Sequence, residues 1–304
     1  MKRLALLLSI NASLACAATW YVTVAGLGGE PLYDQRFAAL AKDLEKIVSS
    51  QGTSITLTGQ AATREAVKSA LARIAATAKP DDTIVLTLIG HGTFDGVEYK
   101  FNVPGPDISG ADLRDWLEKV AARQLIVNTT SASGATLDLL RRPNTVVITA
   151  TRSGMQYHAT VFARFWVEAL RDAAADTDKN DTVSALEAYR YADKKTAQYY
   201  ETLKRLASEQ AMLEDTGKGS GVRNPGPENG EGLLAARFPV ITTGQVQARY
   251  ADPAKRKLLE RKEAIETKID ELKYEKAALP QDVYQKRLQA LLIELATITE
   301  ELDK

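Results

Sequence analysis

The chain has 304 residues, of which 45% are hydrophobic and 26% are charged, and its 39 lysines and arginines balance 39 aspartates and glutamates. This balance leaves no surplus of positive charge for binding nucleic acid or an anionic membrane surface. The single cysteine excludes an intramolecular disulfide. A chain of this length can bury a full hydrophobic core and add a small second module, so we expect packing to supply its stability.

The first residues follow the pattern of an export signal. Two basic residues come directly after the initial methionine, residues 4–10 form an apolar run, and residues 15–17 are the small triplet Ala-Cys-Ala. These features in this order are typical of a secretory signal peptide. The sequence therefore predicts a signal peptide over residues 1–17 and an exported mature chain, periplasmic or secreted, that begins near Ala18.

The alternative for this segment is a lipoprotein in which Cys16 is acylated. Ser13 and Leu14 argue against it, because a lipid-attachment site usually carries a large aliphatic residue and then a small residue at these positions. No later stretch of the sequence reaches the roughly 18 to 20 apolar residues that span a bilayer. We therefore expect no membrane span in the mature chain.

Short β-branched runs then alternate with amphipathic stretches. The runs cover residues 20–25, 54–58, 83–89, 124–128 and 145–150, with a sixth at 238–242. Between them, apolar residues recur every three to four positions over residues 36–49, 63–76, 110–122 and 159–172. This alternation is typical of a parallel sheet covered by helices on both faces. The sequence predicts a doubly wound, mostly parallel α/β domain with a six-stranded sheet over residues 18–246.

Residues 216–232 interrupt this alternation. The stretch is rich in glycine, proline, asparagine and acidic residues, which indicates a long loop rather than a helix or strand. We expect it to form a lid or rim segment of the domain.

Residues 252–304 have the composition of a separate helical module. Two apolar stripes recur at helical spacing, at Leu258, Ile265, Ile269 and Leu272 and, beyond Pro280, at Leu288, Leu291, Leu295, Ile298 and Leu302. The sequence predicts two helices joined around Pro280 in an antiparallel hairpin. Residues 254–304 either pack on their own domain, with self-association as a further option, or form a coiled coil dedicated to a partner protein.

Two predicted strands end in unusual turns. The strand at 83–89 is followed by Gly90, His91 and Gly92, and the strand at 124–128 is followed by a run of small residues that contains Ser131. In an open α/β sheet, ligands bind beyond the carboxyl ends of the strands. These turns are therefore the first place to look for chemistry.

The ordered set of a strand, His-Gly, a strand and a small turn ending in Ser-Gly resembles the caspase and legumain group of cysteine endopeptidases, and most of all its bacterial legumain-like members. In that group the first turn supplies the catalytic histidine and the second, typically Ala-Cys-x-Ser-Gly, supplies the nucleophile. The resemblance covers about residues 19–245. It implies a caspase-like sheet, with His91 and Gly92 in the first turn and Ser131 in place of the catalytic cysteine.

The replacement of cysteine by serine matters for activity. A thiol with a pKa near 8.5 is readily converted to a thiolate, whereas a serine hydroxyl needs a base within about 2.6 to 3.2 Å and a third group that orients the base. Three hypotheses follow for Ser131. The chain is a pseudopeptidase that binds a peptide or protein, or a serine hydrolase with His91 as base and Asp95 or another carboxylate behind it, or a structural and oligomerisation protein.

Residues 147–153 resemble the strand and loop that wall the specificity pocket of this group. The resemblance places Arg152 and Ser153 at the substrate-binding position. The planar guanidinium of Arg152 can hold a carboxylate or an amide oxygen. The alternative is an ordinary solvated loop arginine. The acidic residues by which legumains recognise asparagine have no clear counterpart here, so asparagine specificity is not implied.

An acidic segment fits the twelve-residue calcium loop. Its oxygen-bearing side chains are Asp176, Asp178, Asn180, Thr182, Ser184 and Glu187, and an apolar Val183 stands at the eighth position. A hard cation needs six to eight oxygens, which one such loop can supply. No cofactor is expected to be required, and calcium is the ion for which the sequence offers a site.

One position of the calcium pattern differs. The sixth residue, where the sharp turn favours glycine, is Asp181. Aspartate tolerates the left-handed conformation better than most residues. The alternative is an acidic loop that caps a helix, with Thr182 or Asp181 as the N-cap and Glu187 exposed.

Overall fold

The computed structural model describes residues 17–242 and 253–302. Cys16 and nearly all of the predicted signal peptide therefore lie outside the described residues, as does most of the segment between the two predicted modules. The described strands are β1 (Thr19–Ala25), β2 (Thr53–Leu57), β3 (Thr83–Ile89), β4 (Gly92–Phe94), β5 (Tyr99–Phe101), β6 (Ile108–Ser109), β7 (Arg123–Asn128), β8 (Thr145–Thr149), β9 (Thr182–Ser184), β10 (Met212–Glu214) and β11 (Pro239–Thr242).

The described α-helices surround these strands. They are α1 (Pro31–Val48), α2 (Arg64–Ala75), α3 (Gly110–Leu117), α4 (Leu137–Leu140), α5 (Phe162–Ala169), α6 (Ala185–Thr202), α7 (Leu233–Ala236), α8 (Pro253–Glu275) and α9 (Gln281–Leu302). Within the described ranges, each helix is too short or too polar to cross a lipid bilayer.

The central sheet has the strand order β10-β8-β7-β3-β1-β2. All neighbours in it are parallel except β10, which runs antiparallel to β8. The first five predicted strands are confirmed. The sixth is also a strand, β11, but its expected place in the central sheet is wrong, because residues 239–242 pair with β9 in a separate two-stranded sheet. The edge strand β10 has only three residues and ends in a glutamate, so it carries no alternation for a sequence pattern to detect.

Hydrophobic clusters lie on both faces of the central sheet. One contains residues of α1, α5 and α6, with Trp166 and Tyr189 among its largest buried side chains. The other contains residues of α2, α3 and α4, including Leu71, Trp116 and Leu140. Strands buried on both faces are continuous apolar runs, as β3 is, because neither face meets water. The prediction of a doubly wound α/β domain is confirmed.

Helix α3 is shorter than the predicted stretch 110–122. It begins at the capping box of Ser109 and Asp112, but it ends at Leu117. The side-chain amide of Gln124 donates hydrogen bonds to the carbonyl oxygens of Leu117 and Val120, each 2.9 Å long. These bonds satisfy carbonyl oxygens that have no donor within the helix, and the chain then continues into β7.

Helix α5 is also shorter than predicted, since it begins at Phe162 rather than near residue 159. The carboxylate of Glu209, which is distant in sequence, accepts hydrogen bonds from the backbone N–H groups of Val161 (2.7 Å) and Phe162 (3.1 Å). A carboxylate is favourable at a helix N-terminus because it satisfies open N–H groups and the positive end of the helix dipole. The start of α5 is therefore set by a tertiary contact.

The C-terminal hairpin is confirmed. Helices α8 and α9 are antiparallel, as the ion pairs Arg261–Glu294 and Arg287–Glu275 show. Their seam consists of Leu258, Ile265, Ile269, Leu288, Leu291, Leu295, Ile298 and Leu302. These residues all come from the two stripes noted in the sequence.

The hairpin packs on the α/β domain through α8. The hydroxyl of Tyr274 donates a 2.8 Å hydrogen bond to the backbone oxygen of Glu231. The guanidinium of Arg237 binds the carboxylate of Glu271 at 3.0 Å and the backbone oxygen of Thr267 at 2.7 Å. Helix α9 packs on α8 through the seam.

Candidate active site

The two unusual turns meet at the carboxyl edge of the central sheet. Strands β3 and β7 are parallel neighbours, so the turns that follow them leave the sheet side by side. The hydroxyl of Thr129, just after β7, donates a 2.6 Å hydrogen bond to the backbone oxygen of Leu88 in β3. His91 follows β3 and Ser131 follows β7, and the structure brings these two predicted site residues together.

The pair His91 and Ser131 is in contact but is loosely spaced. The Nδ1 atom of His91 lies 3.4 Å from the Oγ atom of Ser131. A serine nucleophile and its base are usually within about 2.6 to 3.2 Å. The distance is therefore longer than an effective proton transfer from a hydroxyl requires.

The imidazole of His91 is held by aromatic rings and by backbone. Its ring meets Tyr33 and Phe37 edge-on, with centroid distances of 5.0 and 5.2 Å. Burial lowers the pKa of His91 below its usual value of 6.5, and a hydrogen bond to the backbone of Gly28 opposes that effect. The carboxylate of Asp34 accepts a 2.6 Å hydrogen bond from the Gly28 N–H, so it positions Gly28 rather than the imidazole.

Asp95 does not orient His91, contrary to the hydrolase hypothesis. Its carboxylate accepts hydrogen bonds from the backbone N–H groups of Val97 (2.9 Å) and Glu98 (2.8 Å) in the turn between β4 and β5. These bonds hold the pKa of Asp95 below its usual value. The Asp95 carboxylate therefore stabilises its own turn and does not orient the imidazole.

Ser131 is almost completely enclosed, with 1% of its surface exposed. The next residue, Ala132, has a left-handed backbone (φ 56°), and its N–H donates a 2.8 Å hydrogen bond to the backbone oxygen of Gln156. Gly92 lies against the same turn, since a Cβ at that position would come within 2.5 Å of the Ser131 backbone oxygen. The glycine of the His-Gly motif is needed for this close approach.

The loop that follows β8 covers the Ser131 turn. The N–H of Gly134 donates a 2.8 Å hydrogen bond to the Thr151 hydroxyl, and the Gln156 side chain accepts a 2.6 Å bond from the Arg152 N–H. The Ser153 hydroxyl accepts a bond from the Met155 N–H. The loop therefore lies next to the turn, with the Arg152 side chain exposed.

Residues 216–232 do not act as a lid over His91 and Ser131. Val222 in this loop pairs with Leu213 of β10, and the Tyr189 hydroxyl of α6 donates to the Arg223 backbone oxygen. The loop thus packs at the β10 edge of the sheet. The cover over Ser131 is instead the loop after β8, whose role a composition-based search for loops could not identify.

A buried hydrogen-bond network supports the second turn. The hydroxyls of Tyr99 and Thr130 are 2.6 Å apart, and the Thr130 hydroxyl lies 2.8 Å from the side-chain oxygen of Asn128. Burial raises the pKa of Tyr99 to about 12, so its hydroxyl remains protonated. These residues were not predicted from the sequence. The only local indication of a buried polar network was the polar Asn128 at the end of an apolar strand.

Comparison with known proteins gives remote likeness only. No family model matches the chain, and no curated protein matches it in sequence. Among solved structures, the Geobacter sulfurreducens protein GSU0716 is 15% identical over 59% of this chain and 88% of its own, with a TM-score of 0.42. The Drosophila initiator caspase Dronc is 11% identical over 68% of this chain and 82% of its own, with a TM-score of 0.44.

A third similar structure is Raptor from Chaetomium thermophilum. It is 15% identical over 52% of this chain but only 19% of its own length, with a TM-score of 0.37. All three TM-scores lie below 0.5. The fold is therefore defined by its strand order and by the positions of His91 and Ser131, and not by these similarities.

The acidic loop between α5 and α6 brings carboxylates together. Asp176, Asp178 and Glu187 each place one carboxylate oxygen within 4.8 Å of the other two. Loss of water around Asp178, and then the neighbouring carboxylate of Glu187, raise the pKa of Asp178 to about 6, with Asp176 adding to the effect. Like charges held this close favour a bound cation or a proton.

The backbone of this loop follows the calcium pattern at its unusual position. Asp181 has φ 65°, the left-handed conformation for which the pattern uses glycine. The side-chain oxygen of Asn180 accepts a 2.8 Å hydrogen bond from the Thr182 N–H at the start of β9. The predicted ligand residues therefore lie in one compact turn.

The helix-capping alternative is correct in kind but wrong in its residues. The N-cap of α6 is Ser184, not Thr182 or Asp181, and it forms a capping box with Glu187. Glu187 is buried rather than exposed, and its other oxygen accepts hydrogen bonds from the N–H and hydroxyl of Thr177. Each carboxylate oxygen of Glu187 thus accepts two hydrogen bonds, from Ser184 or from Thr177, so a cation would bind Glu187 only by displacing one of the hydroxyl donors.

Proposed function

We propose that this chain is a caspase-like pseudopeptidase, which binds a peptide or protein segment at the sheet edge around His91 and Ser131 without cleaving it. The observation that carries the proposal is the state of Ser131. Its hydroxyl is almost fully enclosed and lies 3.4 Å from His91 Nδ1.

This arrangement disfavours acyl transfer for a physical reason. A serine hydroxyl becomes a nucleophile only when an oriented base removes its proton as it attacks. The imidazole is oriented by the Gly28 backbone rather than by a carboxylate, and burial and the charge of Arg36 oppose the positive charge it would gain more than Gly28 and Asp34 favour it, so the pKa of His91 is lowered. The Ala132 N–H, beside the would-be nucleophile, is already bound to the Gln156 oxygen.

The surface around the site supports binding. Five of the nine large apolar side chains that are exposed in the described residues belong to segments at the carboxyl edge of the central sheet, four on loops and one in the first turn of α1. Those that flank His91 and Ser131 in the fold are Leu27, Leu32, Val97, Met155 and Tyr157. Exposed apolar side chains grouped around one edge mark a binding surface. Arg152, exposed beside Met155, adds a group that recognises a carboxylate or carbonyl oxygen.

A fluorophosphonate probe, which labels activated serines, tests the loss of catalysis. We expect no labelling of the wild-type protein beyond that of Ser131→Ala or His91→Ala. Ser50→Ala, at an exposed serine on the far end of α1, is the control. Labelling that disappears in the first two variants and persists in Ser50→Ala would establish the hydrolase instead.

Selection from a displayed peptide library tests the binding itself. Peptides enriched on the wild-type protein should lose at least tenfold in affinity, about 1.4 kcal/mol, when Arg152 or Tyr157 is changed to alanine. Arg73→Ala, at an exposed arginine on α2, should leave affinity unchanged. The proposal would be rejected if no peptides were enriched, or if both loop variants bound the enriched peptides with the affinity of the wild-type protein.

A second proposal concerns the loop 176–187, which we infer binds calcium. The sequence spacing, the convergence of the Asp176, Asp178 and Glu187 carboxylates and the left-handed Asp181 all support it. Asp178 and Asn180 also line a cleft of about 470 Å³ between this loop and α8. A cation held there remains open to water, which agrees with the weak affinity, about 0.1 to 1 mM, of extracellular calcium modules.

We also propose that the protein acts outside the cytoplasm, in the periplasm or secreted. The support is the order of basic, apolar and small residues over residues 1–17. Cysteine-free mature domains suit an oxidising compartment, because they contain no thiol that could form unwanted disulfides. Calcium at millimolar concentration is also found outside cells, which agrees with a weak site.

A further inference from the structure

The backbone nitrogen of Ala18 lies against a carboxylate at the start of the central sheet. It donates a 2.7 Å hydrogen bond to Oδ1 of Asp82, and the backbone N–H of Lys79 donates a bond of the same length to Oδ2. Asp82 is buried, whereas Ala18 is exposed. Because Ala18 is the residue near which the mature chain is predicted to begin, the nitrogen that would become the new amino terminus is already in contact with an acidic side chain.

This contact lies where three neighbouring strands of the central sheet begin. The Thr83 N–H donates a 2.8 Å hydrogen bond to the backbone oxygen of Ala18, beside the first residues of β1 and β3. The backbone oxygen of Asp82 accepts a 2.9 Å bond from the Arg123 N–H at the start of β7. Asp82 therefore connects β3 to β1 through its side chain and to β7 through its backbone.

The surroundings of Asp82 favour its charged form. Hydrogen bonds from the N–H groups of Lys79 and Ala18 hold the pKa of Asp82 below its usual value, loss of water opposes them, and the Lys79 ammonium has the smallest effect. Of the other charged side chains beside this contact, Asp81 is exposed and Arg123 places its guanidinium over an aromatic ring. A charged donor forms a hydrogen bond about twice as strong as a neutral one, so an ammonium group at the Ala18 nitrogen would strengthen this contact.

We propose that cleavage between Ala17 and Ala18 converts this contact into an ion pair between the new α-ammonium group and Asp82, which stabilises the pairing of β1 with β3 in the mature chain. Hydrolysis of this amide by a host peptidase consumes one water molecule. Ala17 leaves with the new carboxylate, and the Ala18 nitrogen becomes an ammonium group. The inference rests on the proposed export and gives cleavage a structural role. The ion pair lies at the amino edge of the sheet, away from His91, so it is separate from peptide binding.

The pKa of the α-amino group of the exported protein tests the ion pair. The rate of acetylation by trace acetic anhydride, measured from about pH 6 to 11, gives this pKa. We expect a value at least about one unit above the usual 7.7 to 8.0, because the Asp82 carboxylate favours the charged amine. Asp82→Asn should return the pKa to its usual range. Asp81→Asn, at the exposed neighbouring aspartate, is the matched control and should keep the raised pKa.

A chain that retains Ala17 tests the position of the charge. It keeps the Ala18 N–H but moves the ammonium group by about 3.8 Å along the chain. At pH 7 we expect it to unfold about 2 °C below the chain that begins at Ala18, and we expect Asp82→Asn to abolish this difference. Because the ion pair raises the pKa of the amine in the folded state, its stabilisation is fully present below about pH 7.7 and is lost as the pH rises through the raised pKa.

The outcomes separate this inference from the proposed export. An exported protein whose first residue is not Ala18 would overturn the ion pair and leave export standing. An α-amino group with an ordinary pKa, or equal behaviour of Asp82→Asn and Asp81→Asn, would also overturn the ion pair alone. A protein that stays in the cytoplasm with residues 1–17 attached would reject both proposals.

Discussion

At the residue scale, small side chains decide how closely the two turns of the candidate site approach each other. A Cβ at Gly134 would come within 2.3 Å of the Arg152 backbone, just as one at Gly92 would meet the Ser131 backbone. The glycines of the His-Gly and Ser-Gly motifs are therefore required by the packing of the backbone as well as by any chemistry at the site.

Glu209 is the residue whose environment most clearly predicts a pH effect. Burial raises its pKa from 4.5 to about 7, although the N–H groups of Val161 and Phe162 and the Tyr200 hydroxyl favour its charged form. The folded protein therefore holds this proton more tightly than the unfolded chain does. The contribution of Glu209 to stability is fully present below pH 4.5 and is lost as the pH rises through about 7.

The measurement is the unfolding free energy of wild type minus that of Glu209→Gln, from pH 4 to pH 8. We expect this difference to fall by about 3 kcal/mol between pH 4.5 and 7, since glutamine does not titrate. Glu201→Gln, at an exposed glutamate in the last turn of α6, is the matched control variant. A difference for Glu209→Gln that stays constant with pH would contradict the expectation.

At the element scale, the loop between α5 and α6 has two structural roles. Its last residues cap α6 and pair with β11, while its first residues gather the acidic side chains. The sequence pattern located these residues. The structure added that Glu187 is shared between the cap and the acidic cluster.

Calcium should stabilise this loop measurably. With 10 mM calcium and a dissociation constant near 1 mM, binding to the folded state alone adds about 1.4 kcal/mol of unfolding free energy. Thermal unfolding with and without calcium measures the effect. Asp178→Asn should unfold at a higher temperature than wild type without calcium, because it removes like-charge repulsion, and should gain nothing when calcium is added.

Asp43→Asn, on the exposed surface of α1, is the control for nonspecific screening by the salt. It should respond to calcium as the wild-type protein does. Equal stabilisation by magnesium, or a calcium response that persists in Asp178→Asn, would argue against a site in this loop.

At the scale of the whole molecule, the chain consists of an α/β domain, with its candidate site at the carboxyl edge of β3 and β7, and a helical hairpin that packs on this domain through α8.

The proposed export concerns the whole chain, and the amino terminus of the mature protein tests it. After expression of the full sequence in a bacterial host, mass spectrometry of the exported protein should find Ala18 as the first residue. Leu7→Arg, in the apolar run, should keep the protein inside the cell, whereas Leu206→Arg should not. An acylated Cys16 would establish the lipoprotein, and an intact amino terminus in the cytoplasm would contradict export.

The sequence by itself determined the five parallel strands, the helical hairpin and the positions of His91 and Ser131. Long apolar runs and stripes at helical spacing are local signals, so they need no knowledge of the fold. The turns at strand ends are also local, and adjacent strands bring them together. The twelve-residue acidic spacing is of the same kind.

Only the tertiary structure decided the rest. The edge strand β10 is established by its pairing with β8. The end of α3, the start of α5 and the enclosure of Ser131 depend on hydrogen bonds of Gln124, Glu209 and Gln156, and the partners of Glu209 and Gln156 are distant in sequence. Whether a serine and a histidine react depends on differences of a few tenths of an ångström in the distance between them, and on which group orients the imidazole ring. Those quantities arise from packing, which no local pattern contains.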